Sequence, residues 1–541
     1  MMVSGGSEKK ARVLLVYPGS KSMGFTFPMG VLYVAQALRK IGVEVRIFHM
    51  GVEKIKDLVL DDYLFVGLSL LTGEIISNGL KVARMVKEYD PGIPIVLGGV
   101  HPSLLPEESL ENELVDVVVI GEGEKTAQEL VRCFLEGGDL SGIKGIGYKD
   151  SGGRIRINPR RELLDMDSLE MDVPYELLGK AFFNSVTMPV HTSRGCPYRC
   201  GFCYNPVLNK RRYRYKSAER VVEEIEYLHR KYKVYNFNFD YEDEFFVDPK
   251  RAYTIFKAVI EKGLKIQWSA FCRFNTFDKA IERFGLDFID VLKKSGCYYL
   301  SFGAESGSQR LLDSVILKDI KVDQIIRTID RMKDAGIMHR VSFINCFPTE
   351  TDADLDESFK VIERISKDNS KIVLGMFKLV PLPGTRIFES LVKDHGFKAP
   401  ASLEEWGHYK IPSRRYNDVT WLPRQYAKTC YNIALLSNYP FHKGFSSFRA
   451  YKDYVYNIDS SYGTGLSDYL MARTQRWRFR TRRFGFMVEP LVFNRYIELR
   501  MFLKLYVLRK YLPKGVYNLL RRWFGKNSWT LPAQGTEKAA P

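Results

Sequence analysis

A chain of 541 residues has room for roughly three to four domains and a large buried core. Its 45% apolar and 27% charged residues are ordinary for a globular protein, and no run of 18 apolar residues supports a membrane-spanning helix. Eight cysteines in so long a chain, three of them clustered, point to a reducing compartment and a metal site rather than a disulfide framework. The polar stretch Met1–Lys10 lacks a signal-peptide core, so a cytoplasmic location is expected.

Residues 10–150 alternate β-branched runs with amphipathic stretches. Strands are expected at Arg12–Tyr17, Val43–Phe48, Tyr63–Ser69, Ile93–Leu97 and Val115–Ile120, with helices at Met29–Lys40, Glu74–Tyr89 and Glu124–Glu136. This pattern predicts a doubly wound, Rossmann-like α/β domain with a parallel sheet. Ligands in such domains bind beyond the carboxyl ends of the strands. The loops at that end are Pro18–Phe27, Leu70–Gly73, Gly98–His101 and Gly121–Glu124.

Residues 151–185 read as a linker that follows a glycine-rich hairpin over Gly145–Gly153. A second alternation fills 186–400. Strands are expected at Val186–Ser193, Val234–Phe239, Ile266–Cys272, Tyr298–Gly303, His339–Cys346 and Ile372–Val380. Helices are expected between them at Ser217–Tyr232, Pro249–Lys262, Asp287–Ser295, Val322–Ala335 and Asp352–Lys367. Six such units predict a partial (β/α)6 TIM-like barrel, whose chemistry belongs at the carboxyl ends of its strands. Residues 401–541 are irregular, aromatic and basic, and are expected to be mostly helical. Between Met471 and Lys526 fifteen Lys and Arg meet two Glu, placing +13 of the net charge of +17 there.

The loop after the first barrel strand reads Cys196-Pro-Tyr-Arg-Cys200-Gly-Phe-Cys203. Three thiolates in C-x3-C-x2-C spacing hold three irons of a four-iron cluster and leave the fourth open to a small molecule. A structural zinc site would need a fourth Cys or His nearby, and none follows.

This motif, with Phe202 before its last cysteine, resembles the radical S-adenosylmethionine (SAM) superfamily. The first 400 residues together resemble its cobalamin (B12)-binding branch. The resemblance implies a [4Fe–4S] cluster on Cys196, Cys200 and Cys203, with Phe202 and Tyr204 lining the SAM adenine wall. Asp240 and Glu242 of Asp-Tyr-Glu-Asp-Glu244 are implied near the SAM amino group, leaving Asp243 and Glu244 for helix capping. Arg273 is implied opposite the SAM carboxylate or in a rim salt bridge. Glu305 and Ser306, in Gly-Ala-Glu-Ser-Gly307, are implied near the ribose or amino group. Cys346 stands where relatives carry glycine, ahead of Pro348-Thr-Glu-Thr351.

For cobalamin, the resemblance implies contacts from Pro18, Gly19, Ser69, Leu71, Thr72, Gly98, Gly99, His101, Gly121 and Glu122. Ser69-Leu-Leu71 matches an S-x-L element and Gly98-Gly99 a paired glycine; Ser69 is implied to bond the displaced lower-axial base. The loop Tyr17–Gly24 lacks the cobalt-ligating histidine of D-x-H-x-x-G. His101 is therefore expected to bond a corrin side chain rather than cobalt.

The implied reaction starts with one-electron cleavage of SAM, and the adenosyl radical then takes hydrogen from an unactivated carbon. Methyl transfer from cobalamin to that carbon follows, with a second SAM restoring the methyl group. The alternative is a cobalamin-dependent oxidative cyclase or rearrangement enzyme. A hydrophobic, lipid or pigment-like substrate and a ferredoxin- or flavodoxin-type reductant are expected. The mixed basic and aromatic stretch Asn494–Leu512 suggests peripheral contact with an anionic membrane, or a helix packed on the barrel. Nucleic acid is disfavoured, because no RNA-binding motif accompanies the basic residues.

Overall fold

The computed structural model describes residues 11–19, 25–183, 185, 187–409, 419–436 and 466–482. The chain divides into two compact units, Met1–Asp243 with Val380–Ser413, and Glu244–Leu379 with Arg414–Pro541. The first unit is organised on strands β1 (Arg12–Tyr17), β2 (Glu44–His49), β3 (Phe65–Ser69), β4 (Ile95–Gly98), β5 (Val117–Val119), β6 (Ile146–Lys149) and β7 (Ile155–Ile157). They form one sheet in the order β2-β1-β3-β4-β5-β6-β7. Strands β1 to β5 are parallel, and β6 and β7 add the expected hairpin as an antiparallel edge.

Continuous apolar runs make the central strands, and Val13, Leu14, Val66, Ile95 and Val118 are fully buried. Such runs require cover on both faces. Helices Met29–Lys40, Glu74–Tyr89 and Glu124–Glu136 supply it through apolar stripes that include Leu32, Ile76 and Leu130. Strand β1 pairs with β2 on one side and β3 on the other. The chain therefore changes its direction of winding at β1, which opens a crevice at the carboxyl ends.

The same unit holds β8 (Met188–Pro189), β9 (Ser193–Arg194), β10 (Arg214–Tyr215) and β11 (Asn236–Asn238). Val186–Ser193 does not form one strand as expected. Pro189 cannot donate a ladder hydrogen bond; β8 ends there, paired in parallel with β11. The chain resumes as β9, which pairs antiparallel with β10. Helix Ala218–Tyr232 follows, with the Ser217 hydroxyl accepting from the Arg220 N–H.

In the second unit, β12 (Gln267–Cys272), β13 (Cys297–Glu305), β14 (Met338–Asn345) and β15 (Ile372–Lys378) run parallel in that order. Helices Pro249–Glu261, Asp287–Lys294, Val322–Ala335 and Asp352–Ser366 alternate with them, and Phe274–Phe284 adds a helix beyond those expected. After β15 the chain returns to the first unit as helices Arg386–Asp394 and Leu403–His408. Beyond these, helices Arg424–Leu436 and Leu466–Thr481 are described in the second unit. Asn494–Leu512 and the basic stretch beyond Arg482 lie outside the described residues. Among the described residues no helix is long and apolar enough to cross a membrane.

Candidate active site

At the carboxyl end of the first sheet, the loops after β3, β4 and β5 are tied to one another by backbone hydrogen bonds. Leu70 N–H donates to Gly98 O (2.8 Å), and His101 N–H donates to Leu70 O (3.2 Å). Gly99, at φ +98°, must be glycine, because a Cβ would lie 2.6 Å from Leu70 O. The Ser103 hydroxyl donates to Gly99 O (2.7 Å) and accepts from Gly121 N–H (2.9 Å). Gly121 also has positive φ (+88°), but a Cβ there, as at Gly98, would meet nothing within 4 Å. Leu71 is exposed nearby in sequence, and Ser69 is half-buried at the end of β3. Pro18 is held by Asn78, whose side chain donates to its carbonyl (3.2 Å), and Gly19 lies against the Tyr17 ring. Residues 20–24 of the first loop lie outside the described residues.

His101 is fully buried. Its Nδ1 lies 3.0 Å from the Thr72 hydroxyl, and burial lowers its pKa to about 4. The Nε2 atom is buried without a hydrogen-bond partner, and the Trp406 ring packs edge-on at 5.4 Å. Glu122 is engaged within the protein: it accepts from Arg214, from Leu164 N–H (2.9 Å) and pairs with Arg194 (3.1 Å). The arginines hold its carboxyl below the ordinary range against the opposing effect of burial.

The cysteines occupy a loop that leaves β9 and returns at β10. Gly195, at φ +82°, starts it, and a side chain there would overlap Arg212 O. Its N–H donates to Asp243 Oδ2 (3.0 Å), so Asp243 supports the cluster loop and does not cap a helix as expected. Glu244 caps the next turn, Phe245–Val247, as expected, accepting from Phe246 N–H (3.3 Å), and Asp248 caps helix Pro249–Glu261, accepting from Lys250 and Arg251 N–H (2.9 and 3.2 Å). Cys203 N–H donates to Cys200 O (3.2 Å), and Asn205 N–H donates to Cys203 Sγ (3.4 Å). Cys200 is buried, Cys196 and Cys203 are half-buried, and none of the three is in a disulfide. Burial pushes Cys203 up to about 12.

Phe202 and Tyr204 flank Cys203 and are half-buried. Burial also raises the Tyr204 hydroxyl well above its ordinary range. Glu242 is buried and accepts from Thr192 (3.0 Å) and Ser193, the residues leading into β9 and the cluster loop. Asp240, half-buried at the end of β11, receives its place from an N–H bond to Asn238 Oδ1 (2.5 Å). The turn Leu382–Thr385 also reaches this loop, since Ile387 N–H donates to Gly201 O (2.9 Å).

In the second unit, Arg273, Glu305 and Lys318 form a buried set at the ends of β12 and β13. Arg273 donates to Asn275 (3.2 Å) and to Lys318 O, and the Lys318 ammonium lies 2.5 Å from Glu305 Oε1. Glu305 is at φ +63°, a conformation that non-glycine residues seldom take outside functional or over-determined positions. Burial pushes neighbouring Glu244 up to about 7 despite bonds from Arg273 N–H and Thr276. Ser306 lies 3.4 Å from Ser358, and Gly307 packs so closely on helix Asp352–Ser366 that a Cβ would come 2.5 Å from Ser358 Cα. Cys346, at φ +69°, takes the left-handed position that glycine would hold freely. Its N–H and that of Phe347 donate to Glu350. Arg194, Arg214, Lys318 and Trp406, which no sequence motif marks, hold the side chains of these sites in place.

Sequence models of two families match the chain: the radical SAM superfamily over residues 190–362 and the B12 binding domain over residues 19–131. An uncharacterised methyltransferase of Pyrococcus horikoshii is 32% identical over 407 residues, 72% of this chain and 84% of that protein. The anaerobic magnesium-protoporphyrin IX monomethyl ester cyclase of Rubrivivax gelatinosus is 27% identical over 403 residues, 70% of each protein. Among solved structures, the radical SAM methyltransferase TsrM from Kitasatospora setae, with tryptophan substrate and a SAM analogue, has a TM-score of 0.62 at 18% identity. That match covers 72% of this chain and 78% of TsrM, and shows the shared fold.

The fold is thus an N-terminal α/β domain followed by a partial (β/α) barrel, and the described residues beyond it lie mainly in helices Leu403–His408, Arg424–Leu436 and Leu466–Thr481. The chain belongs to the radical SAM superfamily, as a member with an N-terminal B12-binding domain. It is an enzyme of the class that uses a [4Fe–4S] cluster, SAM and cobalamin, with a small-molecule substrate and an external electron donor. Its residues fit those groups. Three cysteines outside any disulfide stand on one loop, open space lies before Gly98 and Gly121, and one buried histidine nitrogen has no hydrogen-bond partner.

Proposed function

We propose that the protein is a cobalamin-dependent radical SAM C-methyltransferase acting on an unactivated carbon of a hydrophobic, lipid- or pigment-like molecule. The observation that carries this reading is the three-thiol loop joined to a sheet whose carboxyl-end loops present bare glycine backbone. When bound, the cluster supplies one electron for SAM cleavage and cobalamin supplies a transferable methyl group. The chain's part is to hold, orient and exclude water. Cys196, Cys200 and Cys203 bind three irons; Asp243 and Glu242 fix the loop from beneath. Gly98, Gly99 and Gly121 let backbone approach the corrin and its nucleotide tail, with His101 and Thr72 offering polar contacts. Phe202 and Tyr204 form an adenine wall. Asp240, Arg273, Glu305 and Ser306 are the polar groups assigned to SAM.

Greater identity to a protein named as a methyltransferase than to the pigment cyclase supports methylation. Oxidative cyclisation or rearrangement on the same architecture is the second reading, favoured by the cyclase relative. Cobalamin-loaded, cluster-reconstituted protein, given SAM and a strong one-electron reductant, is expected to form both 5′-deoxyadenosine and S-adenosylhomocysteine. Formation of 5′-deoxyadenosine alone would move the assignment to the cyclase class.

The concentration of +13 between Met471 and Lys526 supports a peripheral contact with anionic lipid, through which a hydrophobic substrate would be reached. A ferredoxin- or flavodoxin-type donor and a cytoplasmic site complete the reading. In flotation with anionic liposomes, the full chain is expected to float and a chain ending before Met471 to stay behind. Equal behaviour would remove the membrane from the account.

A further inference from the structure

We propose that Glu122 is a positioning residue: with Arg194, Arg214 and Glu124 it forms a largely buried latch that sets the separation of the cluster from cobalamin. The inference rests on the reading of the Cys196–Cys203 loop as the cluster site and of the Gly98 and Gly121 loops as cobalamin loops.

The cluster loop, residues 195–213, is an excursion between β9 and β10, whose register places Arg194 directly opposite Arg214. Both residues at the base of the loop grip one carboxylate. Arg194 Nη1 lies 3.1 Å and Arg214 Nη2 2.5 Å from Glu122 Oε1. Glu122 Oε2 accepts from Leu164 N–H (2.9 Å) and from Arg214 Nη1 (3.3 Å). The other arm of the Arg194 fork reaches Glu124 Oε1 (2.6 Å), and its guanidinium lies over the Tyr33 ring at 4.9 Å. Side-chain exposure is 12% for Arg194, 19% for Arg214, 15% for Glu122 and 10% for Glu124.

Two cations and two anions balance, so the quartet leaves no net charge for an outside ligand. Glu122 therefore has no acceptor site left for cobalamin, and its work is within the chain. What it joins is specific. On one side, Glu122 follows Gly121, which Ser103 ties to Gly99. On the other, Arg194 precedes Gly195 and Cys196. Loops carrying two cofactors are thus linked by forked, desolvated ion pairs, which fix geometry more sharply than contacts through a flexible ammonium. A reaction in which two bound groups act in turn on one carbon depends on separations at the ångström scale, and this connection can hold one.

The test uses the full chain, loaded with cobalamin and cluster, as wild type, Glu122→Gln and Arg194→Lys. Pulsed electron paramagnetic resonance reads the dipolar coupling between cob(II)alamin and the reduced cluster, with metal and cobalamin content measured on the same samples. Both variants are expected to load both groups. Their cluster–cobalamin distance distribution is expected to be about twofold broader than in wild type, because the fork that fixes the geometry is lost. A control, Asp116→Asn, breaks the Lys87–Asp116 pair (2.8 Å) at the amino end of β5, the end of the sheet away from these loops; it is expected to lower the melting temperature and leave the distribution unchanged. Distributions identical to wild type in both latch variants, with only a lower melting temperature, would overturn the proposal. So would loss of cobalamin from Glu122→Gln alone, since that would make Glu122 a direct cobalamin contact. Wild type that binds only one of the two groups would instead contradict the underlying reading of the site.

Discussion

Backbone conformation at single residues decides much of this site. Gly99 combines positive φ with a Cβ position blocked by Leu70 O, whereas Gly121 has the conformation without the obstruction. Gly99→Ala should therefore cost about 1–3 kcal/mol and reduce cobalamin occupancy, while Gly121→Ala should cost only the milder strain of a left-handed residue. Denaturant unfolding and cobalamin stoichiometry on the two variants check the difference. Glu350 offers a separate test. Burial pushes its carboxyl from the ordinary 4.5 up to about 8, against the backbone donors Cys346 and Phe347. Between those values the unfolded chain has lost a proton that the folded chain keeps, so stability falls as pH rises. The slope from this group is at most about 1.4 kcal/mol per pH unit. Glu350→Gln keeps an acceptor for both N–H groups and cannot ionise. Melting temperatures between pH 5 and 8 should show its advantage over wild type growing with pH. The cysteine spacing was legible from the chain because three ligands lie within eight residues. The partners of Glu122 were not, since Arg194 and Arg214 are brought to it only by tertiary folding.

Elements were most legible where hydrophobic period and end signals agree. Helices Met29–Lys40, Glu74–Tyr89, Glu124–Glu136 and Val322–Ala335 occupy the residues their periodicity predicts. Helix Phe274–Phe284 was not among the expected elements, although Phe274, Phe277, Ala280 and Ile281 lie on its buried face. Helix Leu403–His408 was also hidden, because six residues show little periodicity. Tertiary contacts make it part of the first unit. Trp406 packs on His101 and Phe388, and Gly407 approaches Ser77 so closely that a Cβ would lie 2.5 Å from its hydroxyl. Trp406→Ala should cost about 3–5 kcal/mol, the range for deleting a buried aromatic side chain. It should also weaken cobalamin retention by uncovering His101. Equilibrium unfolding and gel filtration of the cobalamin-loaded variant read both effects. Unchanged values would detach this helix from the site.

At the scale of the whole molecule, the order of two α/β segments was readable from their alternation, and the family matches follow that order. The return of Val380–Ser413 to the first unit was not readable, because nothing local marks where a chain goes back to an earlier sheet. The substrate is equally dispersed along the chain, whereas the cofactor chemistry is concentrated in one loop. The account's central claim is that Cys196, Cys200 and Cys203 hold a cluster with one iron open to SAM. Electron paramagnetic resonance of the reduced, reconstituted protein tests it most directly, before and after addition of SAM. The account predicts a reduced-cluster signal that shifts when SAM binds and is lost in each single Cys→Ala variant. A signal indifferent to SAM, or one that survives replacement of each of the three cysteines, would contradict it.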